Sequence, residues 1–291
     1  MGRTPKYGGD WTERKLQALR KYLPAYMTVL SRAKGYYRLI YVDAFAGCGH
    51  YQPAHGHDSA DDVFPEFTEP DTRGFLQGSA AIALEVEPPF DAYIFIEEEP
   101  ERVEELRAIS EKAGRNASVL EGDANTQLRE LCESTDWTRS RAVVFLDPYG
   151  MEVEWQTVEA IAQTGAIDLW WLFPLGMGVI RLLDRDKMPT GKLAERLTKT
   201  FGTNDWQKRF YERHKASTLF GDESFDVRAA TFDHIISFVL ERLKSAFPHV
   251  ADNPLVLRNS KNVPLYLLCF AAGSEKGGPT AVKIARHLLK D

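Results

Sequence analysis

Short runs of nearly continuous apolar residues recur along the chain, and between them apolar residues return every three or four positions. Continuous apolar runs are typical of strands that are buried on both faces of a parallel sheet. The intervening spacing indicates amphipathic helices. The predicted strands are Leu39–Asp43, Ala92–Ile96, Ser118–Leu120, Arg141–Leu146, Ile167–Phe173, Leu255–Arg258 and Leu265–Ala271. The pattern predicts an α/β fold in which a doubly wound, mostly parallel seven-stranded sheet ends in an antiparallel strand.

The first predicted helix, Trp11–Arg32, has the clearest periodicity. Its apolar residues keep a spacing of three to four and therefore form one stripe, which we expect to be buried. They are Leu16, Leu19, Leu23, Tyr26, Met27 and Leu30. We also expect helices from Ser79, as the N-cap, and over Val153–Gln163, Thr231–Ser245 and Thr280–Leu289.

Breaks in this pattern divide the chain. Residues 1–38 form a helical extension that precedes the first strand, and residues 39–180 with 222–291 form the sheet domain. Residues 50–77 are acidic and lack periodicity, which predicts a lid loop inserted over a ligand site. Residues 181–221, interrupted by glycines, are interpreted as a helical insert.

The first strand runs directly into Asp43-Ala44-Phe45-Ala46-Gly47-Cys48-Gly49. Glycine at positions 47 and 49 permits backbone angles and close approaches that a Cβ would prevent. An aspartate at the end of the strand can accept a hydrogen bond from an amino group of a ligand. The segment indicates a nucleotide-binding loop, and a strand-to-loop turn without a ligand is the alternative.

Three further strands end in acidic residues. Glu97 follows the second strand, Asp123-Ala124 follows the third, and Asp147-Pro148-Tyr149 follows the fourth. Open α/β sheets bind ligands along the carboxyl ends of their strands, so these side chains are expected to meet at one edge. Each has a structural alternative: a solvated helix start at Glu97, an N-cap at Asp123 and a plain turn at Asp147-Pro148.

Composition excludes several classes of protein. The 291 residues are 44% hydrophobic and 27% charged, with a net charge of −6, which is typical of a globular protein. No apolar run approaches the 18 residues that suggest a membrane span, and no signal peptide is evident, so we expect a cytoplasmic location. Three scattered cysteines indicate reduced thiols. No metal site is expected, because the histidines at 50, 55 and 57 are better explained by a polar loop.

Positive charge is concentrated in two segments. Residues 1–38 hold nine Lys/Arg against two Asp/Glu, and residues 181–215 hold ten against five. These segments either border a nucleic-acid site or form solvated helix faces. Trp206, Phe210 and Tyr211 lie within the second segment, where their rings can stack on bases or pack in the core.

Taken in order, the strand-end motifs resemble those of class I S-adenosylmethionine (SAM) methyltransferases. Adding Trp11-Thr12-x-x-Lys15-Leu16, Gly78-Ser79 and Leu265-Tyr266-Leu267-Leu268-Cys269-Phe270-Ala271, the chain resembles the three-Cys-motif partner protein family along nearly its whole length. The resemblance implies a Rossmann-like methyltransferase domain over 39–180 and 222–291, SAM as cofactor and a cysteine-rich partner protein.

The resemblance also implies roles for individual residues. They are Asp43 and Gly47 for the methionine end of SAM, Glu97 for the ribose, Asp123 for the adenine and Asp147 for the methyl acceptor. Phe45, Ala46, Gly49 and Ala124 are predicted as further cofactor-binding residues, and Pro148 and Tyr149 as further catalytic residues. The function predicted is methyl transfer to an amino nitrogen of a nucleic-acid base or related nucleotide. Two alternatives stay open: a non-catalytic, SAM-binding scaffold subunit, and a methyltransferase of a small molecule or a protein.

Overall fold

The computed structural model describes residues 10–31, 35–47, 78–218 and 221–290. The helices are α1 (Asp10–Leu30), α2 (Ser79–Leu84), α3 (Pro100–Ala113), α4 (Ala124–Ser134), α5 (Trp155–Gln163), α6 (Gly191–Phe201), α7 (Asp205–Phe210), α8 (Phe232–Ala246) and α9 (Gly278–Leu288). The strands are β1 (Arg38–Asp43), β2 (Ala92–Glu97), β3 (Ala117–Glu121), β4 (Ser140–Leu146), β5 (Ile167–Phe173), β6 (Tyr211–Thr218), β7 (Gly221–Arg228), β8 (His249–Val250), β9 (Leu255–Arg258) and β10 (Pro264–Ala272).

The main sheet has the order β3-β2-β1-β4-β5-β10-β8, and β9 pairs with β10 beside β8. Strands β1 to β5 are mutually parallel, whereas β10 runs antiparallel to β5. This arrangement confirms the predicted doubly wound, mostly parallel fold and its antiparallel closing strand. With β8 and β9 both paired to β10, the sheet has eight strands, one more than the sequence pattern predicts. The order in which strands are added to the sheet reverses at β1, because β2 lies on one side of β1 and β4 on the other.

Both faces of the sheet are covered, as its continuous apolar strands require. On one face, Ile40, Val42 and Val144 pack with α4, α5 and α8. On the other face, Tyr41 and Val143 pack with α1, α2, α3 and α9. Successive strand residues alternate between these two cores because side chains point to opposite sides of a strand.

Helix α1 confirms the predicted apolar stripe. Five of the six stripe residues are buried, and Leu30 packs against the same core while partly exposed. The helix thereby lies across the sheet from the carboxyl end of β4 to the amino end of β5. Lys15 contacts Asp147 at the first end, and Tyr22 contacts Asp168 at the second.

The prediction of a helical insert over residues 181–221 was wrong from residue 211 onward. Helices α6 and α7 form as expected, but β6 and β7 then pair as an antiparallel hairpin. Because this hairpin is rich in polar residues, it lacks the apolar alternation by which a strand is recognised. A smaller correction concerns α2, whose N-cap is Gly78 and whose first residue is Ser79. The predicted lid over 50–77 and Gly49 lie outside the described residues.

The aromatic residues of the second basic segment belong to the core. Trp206 and Phe210 have no exposed surface, and Tyr211 is 6% exposed, so these rings do not offer a stacking surface. Some basic side chains nearby are paired with acids: Arg209 with Glu241, and Lys199 with Glu154. No helix in the described ranges is long and apolar enough to cross a membrane.

Candidate functional site

The site is centred on Asp43, the last residue of β1, where the order of strands reverses. Open α/β sheets bind ligands at such a position, because the loops on either side diverge and leave a crevice. Asp43 is fully buried between the ends of β2 and β4. Its Oδ2 atom accepts a hydrogen bond from the Tyr41 hydroxyl at 3.3 Å. Its Oδ1 atom finds no hydrogen-bond donor within the described part of the chain.

The surroundings of Asp43 oppose its negative charge. The pKa of Asp43 is raised to about 7: burial is the largest cause and the charge of Asp147 adds to it, while hydrogen bonds from Ser79, Tyr41 and the Phe45 backbone act in the opposite direction. A buried carboxylate oxygen without a donor is costly, and such groups in folded proteins call for an explanation such as a missing ligand. A cationic ligand group at Oδ1 would supply both a donor and a compensating charge.

Gly47 and Glu97 are joined directly. The Gly47 backbone N–H donates to Oε2 of Glu97 at 2.9 Å. Gly47 has φ +59°, and a Cβ built there would meet no atom of the described residues within 4 Å. The left-handed backbone, rather than close packing within the protein, therefore explains the glycine. The turn brings the β1 loop to the end of β2.

Glu97 is already engaged by several backbone groups. Its Oε1 atom accepts from the backbone N–H groups of Glu98 and Glu99 at 3.1 and 3.0 Å, in addition to the Gly47 contact at Oε2. A carboxylate has about four acceptor positions, so about one is left for a ligand. This geometry favours one hydroxyl at Glu97, rather than two held in a bidentate manner.

Asp123 caps helix α4. Its Oδ1 atom accepts from the backbone N–H of Thr126 at 2.9 Å and from the Thr126 hydroxyl at 2.7 Å. Although partial burial opposes the effect, hydrogen bonds from Thr126 and Asn125 lower the pKa of Asp123. The structural alternative for Asp123 is thus realised, and a role toward adenine stays a prediction. The adjoining Gly122 backbone N–H donates to the Glu97 carbonyl at 3.0 Å, which ties this loop to the end of β2.

Asp147, after β4, forms an ion pair that links residues far apart in the sequence. Lys15 Nζ lies 2.5 Å from Asp147 Oδ2, and the two side chains are 9% and 18% exposed. Lys15 also lies over the ring of Trp11, with Nζ 5.2 Å from its centroid. Trp11 in turn stacks on Tyr266 of β10 at 4.9 Å. Helix α1 therefore supplies one wall of the site.

The loop after Asp147 presents one exposed aromatic ring. Pro148 is buried, whereas Tyr149 is 63% exposed. The Tyr149 backbone N–H donates to Oε2 of Glu152 at 3.1 Å, which closes the loop into a turn. Burial raises the pKa of Glu152, against the charge of Arg196 and with the charges of Glu98 and Glu97. The turn predicted as a structural alternative thus exists, and it holds a ring at the surface.

A π-helix, Leu175–Ile180, follows β5 and packs beside that loop. A Cβ added at Gly178 would lie 2.6 Å from Cγ of Met151, so only glycine permits this contact. Burial is the main cause that raises the pKa of Tyr266, and the charge of Arg181, the residue after the π-helix, acts in the opposite direction. The π-helix therefore fixes the far side of the Asp147 loop and brings a cation to its edge.

The structure brings together Asp43, Gly47, Glu97 and Asp147 at the carboxyl edge of the sheet. Ala46, in the loop after β1, and Ala124, the first residue of α4, are buried, and Phe45 is partly buried. The sequence motifs assign no role to Lys15. The feature that could have identified it is the position of a lysine on the buried face of α1, where a cation needs a partner. Among the described residues, no group of His, Cys, Asp or Glu is arranged to hold a metal ion. Cys132 and Cys269 are free thiols.

Comparisons with known proteins find distant similarity to solved structures. No family model and no curated protein matches the chain. A crystal structure of a Legionella pneumophila protein is 18% identical, covers 82% of this chain and 93% of its own, and has a TM-score of 0.43. That of a SAM-dependent methyltransferase from Clostridium acetobutylicum is 9% identical, covers 87% and 92%, and has a TM-score of 0.35. Similarity at this level does not identify a ligand or a reaction.

Proposed function

We propose that this protein is a SAM-dependent methyltransferase that acts on an amino nitrogen of a nucleic-acid base or related nucleotide. The observation that carries the proposal is Asp43, whose buried Oδ1 atom has no donor among the described residues. The methionine part of SAM carries an ammonium group that would donate to this atom and offset the charge of the carboxylate. The residues present therefore fit the cofactor.

The other strand ends supply further contacts for the cofactor. Glu97 has about one acceptor position left for a ribose hydroxyl, because three backbone N–H groups use the others. Asp123 caps α4 through Oδ1, and its second oxygen would accept from the adenine amino group. When bound, SAM supplies a methyl group that an incoming nucleophile can attack directly.

The acceptor side rests on Asp147, Pro148 and Tyr149. Lys15 holds the Asp147 carboxylate in one position, from which it would accept a hydrogen bond from one N–H of the acceptor amine. The Pro148 carbonyl would accept a hydrogen bond from the second N–H, so that the nitrogen lone pair points away from both. The exposed Tyr149 ring would stack on a planar base. These groups orient the acceptor, and orientation alone can supply a large part of a rate enhancement.

The predicted cysteine-rich partner and nucleic-acid substrate also belong to this proposal. The aromatic rings of residues 181–215 are in the core, so stacking on bases would fall to Tyr149. A base inside a duplex would have to leave the stack to reach Asp147, which favours single strands or free nucleotides. The partner would act on the assembled site from outside it.

Calorimetry of the purified full-length chain with SAM tests the cofactor assignment. We expect saturable binding with one site. Absence of SAM binding, both by the purified chain alone and after addition of cell extract that contains a partner, would overturn the enzyme assignment. Incubation with isotope-labelled SAM and nucleic acid or nucleotides, followed by mass spectrometry, would then identify the product.

The variant Asp147→Ala separates the two halves of the site. We expect it to bind SAM with little change while losing turnover, because Asp147 is placed toward the acceptor. The matched variant Asp123→Ala should weaken SAM binding. Equal loss of SAM binding in Asp147→Ala and in Asp123→Ala would contradict this division of roles.

A further inference from the structure

A second pocket lies at the opposite end of the sheet from Asp43. It has a volume of about 70 Å³ and opens between α1 and α9, next to the amino ends of β4 and β5. One buried water needs about 10–15 Å³. The pocket is several times larger and therefore has room for a small organic group. Its location separates it from the proposed methyltransferase site.

Two opposite charges line this pocket. Asp168 of β5 is 8% exposed, and its Oδ2 atom accepts from the Tyr22 hydroxyl at 2.6 Å. Arg141 of β4 lines the same pocket. Its Nη1 atom donates to the carbonyls of Trp137 and Ser140 at 2.9 and 2.6 Å. Both charged groups are therefore held in position before any ligand arrives.

The remaining wall is mostly apolar. Leu30 and Val29 of α1 face Ala281 and Ile284 of α9 across the pocket. Val29 is 47% exposed. An aliphatic ligand group would cover this surface and remove it from water.

We propose that this pocket binds a small aliphatic α-amino acid such as L-valine. Its ammonium would pair with Asp168, its carboxylate with Arg141, and its side chain would lie against the apolar wall. A simple amine would pair with Asp168 and leave Arg141 without a ligand charge, and a simple carboxylic acid would pair with Arg141 and leave Asp168 without one. A zwitterion is the ligand class that matches both charges, and charge matching decides specificity between such ligands.

Thermal shift and calorimetry of the full-length chain test this proposal with L-valine as the probe. Isobutylamine and isovalerate, which each lack one charge, serve as comparison ligands. We expect valine to bind at least tenfold more tightly than either. No binding of valine, or equal binding of isobutylamine, would overturn the proposal.

A variant that fills the pocket keeps the test independent of the charged residues. Ala281→Leu adds volume on the α9 wall with a good helix former, and it should weaken valine binding at least tenfold. Ala108→Leu, at an exposed position of α3, is the matched control and should bind as the wild type does. Unchanged valine binding by Ala281→Leu would overturn the placement. SAM binding measured on the same samples keeps this outcome separate from the proposed methyltransferase function.

Discussion

Asp43 and Asp168 are both buried carboxylates, at the carboxyl end of β1 and near the amino end of β5. Burial raises the pKa of each to about 7. Their neighbours differ. Asp168 receives a hydrogen bond from Tyr22 at 2.6 Å, and the charge of Arg141 lowers its pKa. Asp43 lies near a second carboxylate, Asp147, which raises its pKa.

The comparison shows that burial by itself does not distinguish a ligand site. Tyr22 and Arg141 stabilise the Asp168 carboxylate. Its need for a hydrogen-bond donor and for a compensating charge is therefore largely met before a ligand binds. Asp43 has an oxygen for which the described residues offer no donor. We therefore expect a ligand to matter more at Asp43 than at Asp168. Four measurements bear on this difference.

The largest effect is expected for Asp43→Asn. The amide cannot compensate an ammonium charge, so the affinity for SAM should fall at least 100-fold, about 2.8 kcal/mol at 1.4 kcal/mol per factor of ten. Asp168→Asn is the matched control, with a buried carboxylate removed at the other end of the sheet. Calorimetry should find its SAM affinity unchanged. A similar loss in both variants would mean that the two carboxylates act through stability and not through contact.

Lys15→Met tests the ion pair that closes the site. Removing the cation leaves the largely buried Asp147 carboxylate without its partner, and unfolding in urea should show a loss of about 2 kcal/mol. Adding Asp147→Asn to Lys15→Met should recover part of that loss, because the uncompensated charge disappears. Lys21→Met, at an exposed position of α1, should have little effect. Strict additivity of the two changes would contradict direct pairing.

The pH dependence of SAM affinity tests the pKa of Asp43. An ammonium binds the ionised carboxylate, and burial raises that pKa to about 7. The affinity should therefore fall as the pH drops below 7, by up to tenfold per unit. Titrations of SAM binding between pH 5.5 and 8.5 give this pH dependence. The Asp168→Asn variant should show the same dependence as the wild type. A flat profile would place the ammonium elsewhere.

The smallest effect is expected for Tyr22→Phe. This change removes the donor to Asp168 and should lower the free energy of unfolding by about 1 kcal/mol. Tyr36→Phe, whose ring is 61% exposed, is the control and should be neutral. SAM affinity should be unchanged in both variants. A weakened SAM affinity in Tyr22→Phe alone would show that α1 couples the two ends of the sheet.

Much of the fold could be predicted from sequence because buried strands have a local signature. Runs such as Ile167–Phe173 must be covered on both faces, and the structure places them at the centre of the sheet. The hairpin of β6 and β7 was missed for the converse reason. Its polar residues carry no apolar alternation, and its strands form through pairing with each other.

The candidate site divides in the same way. That Asp43, Glu97, Asp123 and Asp147 follow strands is evident from the sequence, and parallel strands bring their carboxyl ends to one edge. The sequence does not reveal how each carboxylate is used. Asp123 caps α4 and Glu97 holds backbone groups, and these contacts depend on loop geometry.

The sequence by itself determined the periodicity, the strand ends and the glycine at position 47, because backbone conformation and burial pattern are set over a few residues. Only the tertiary structure decided that Lys15 reaches Asp147, 132 positions away, and that Tyr22 reaches Asp168, 146 positions away. Such pairs depend on how a whole helix packs against a sheet. Burial then determines which carboxylate finds a partner within the chain, and no local pattern encodes that outcome.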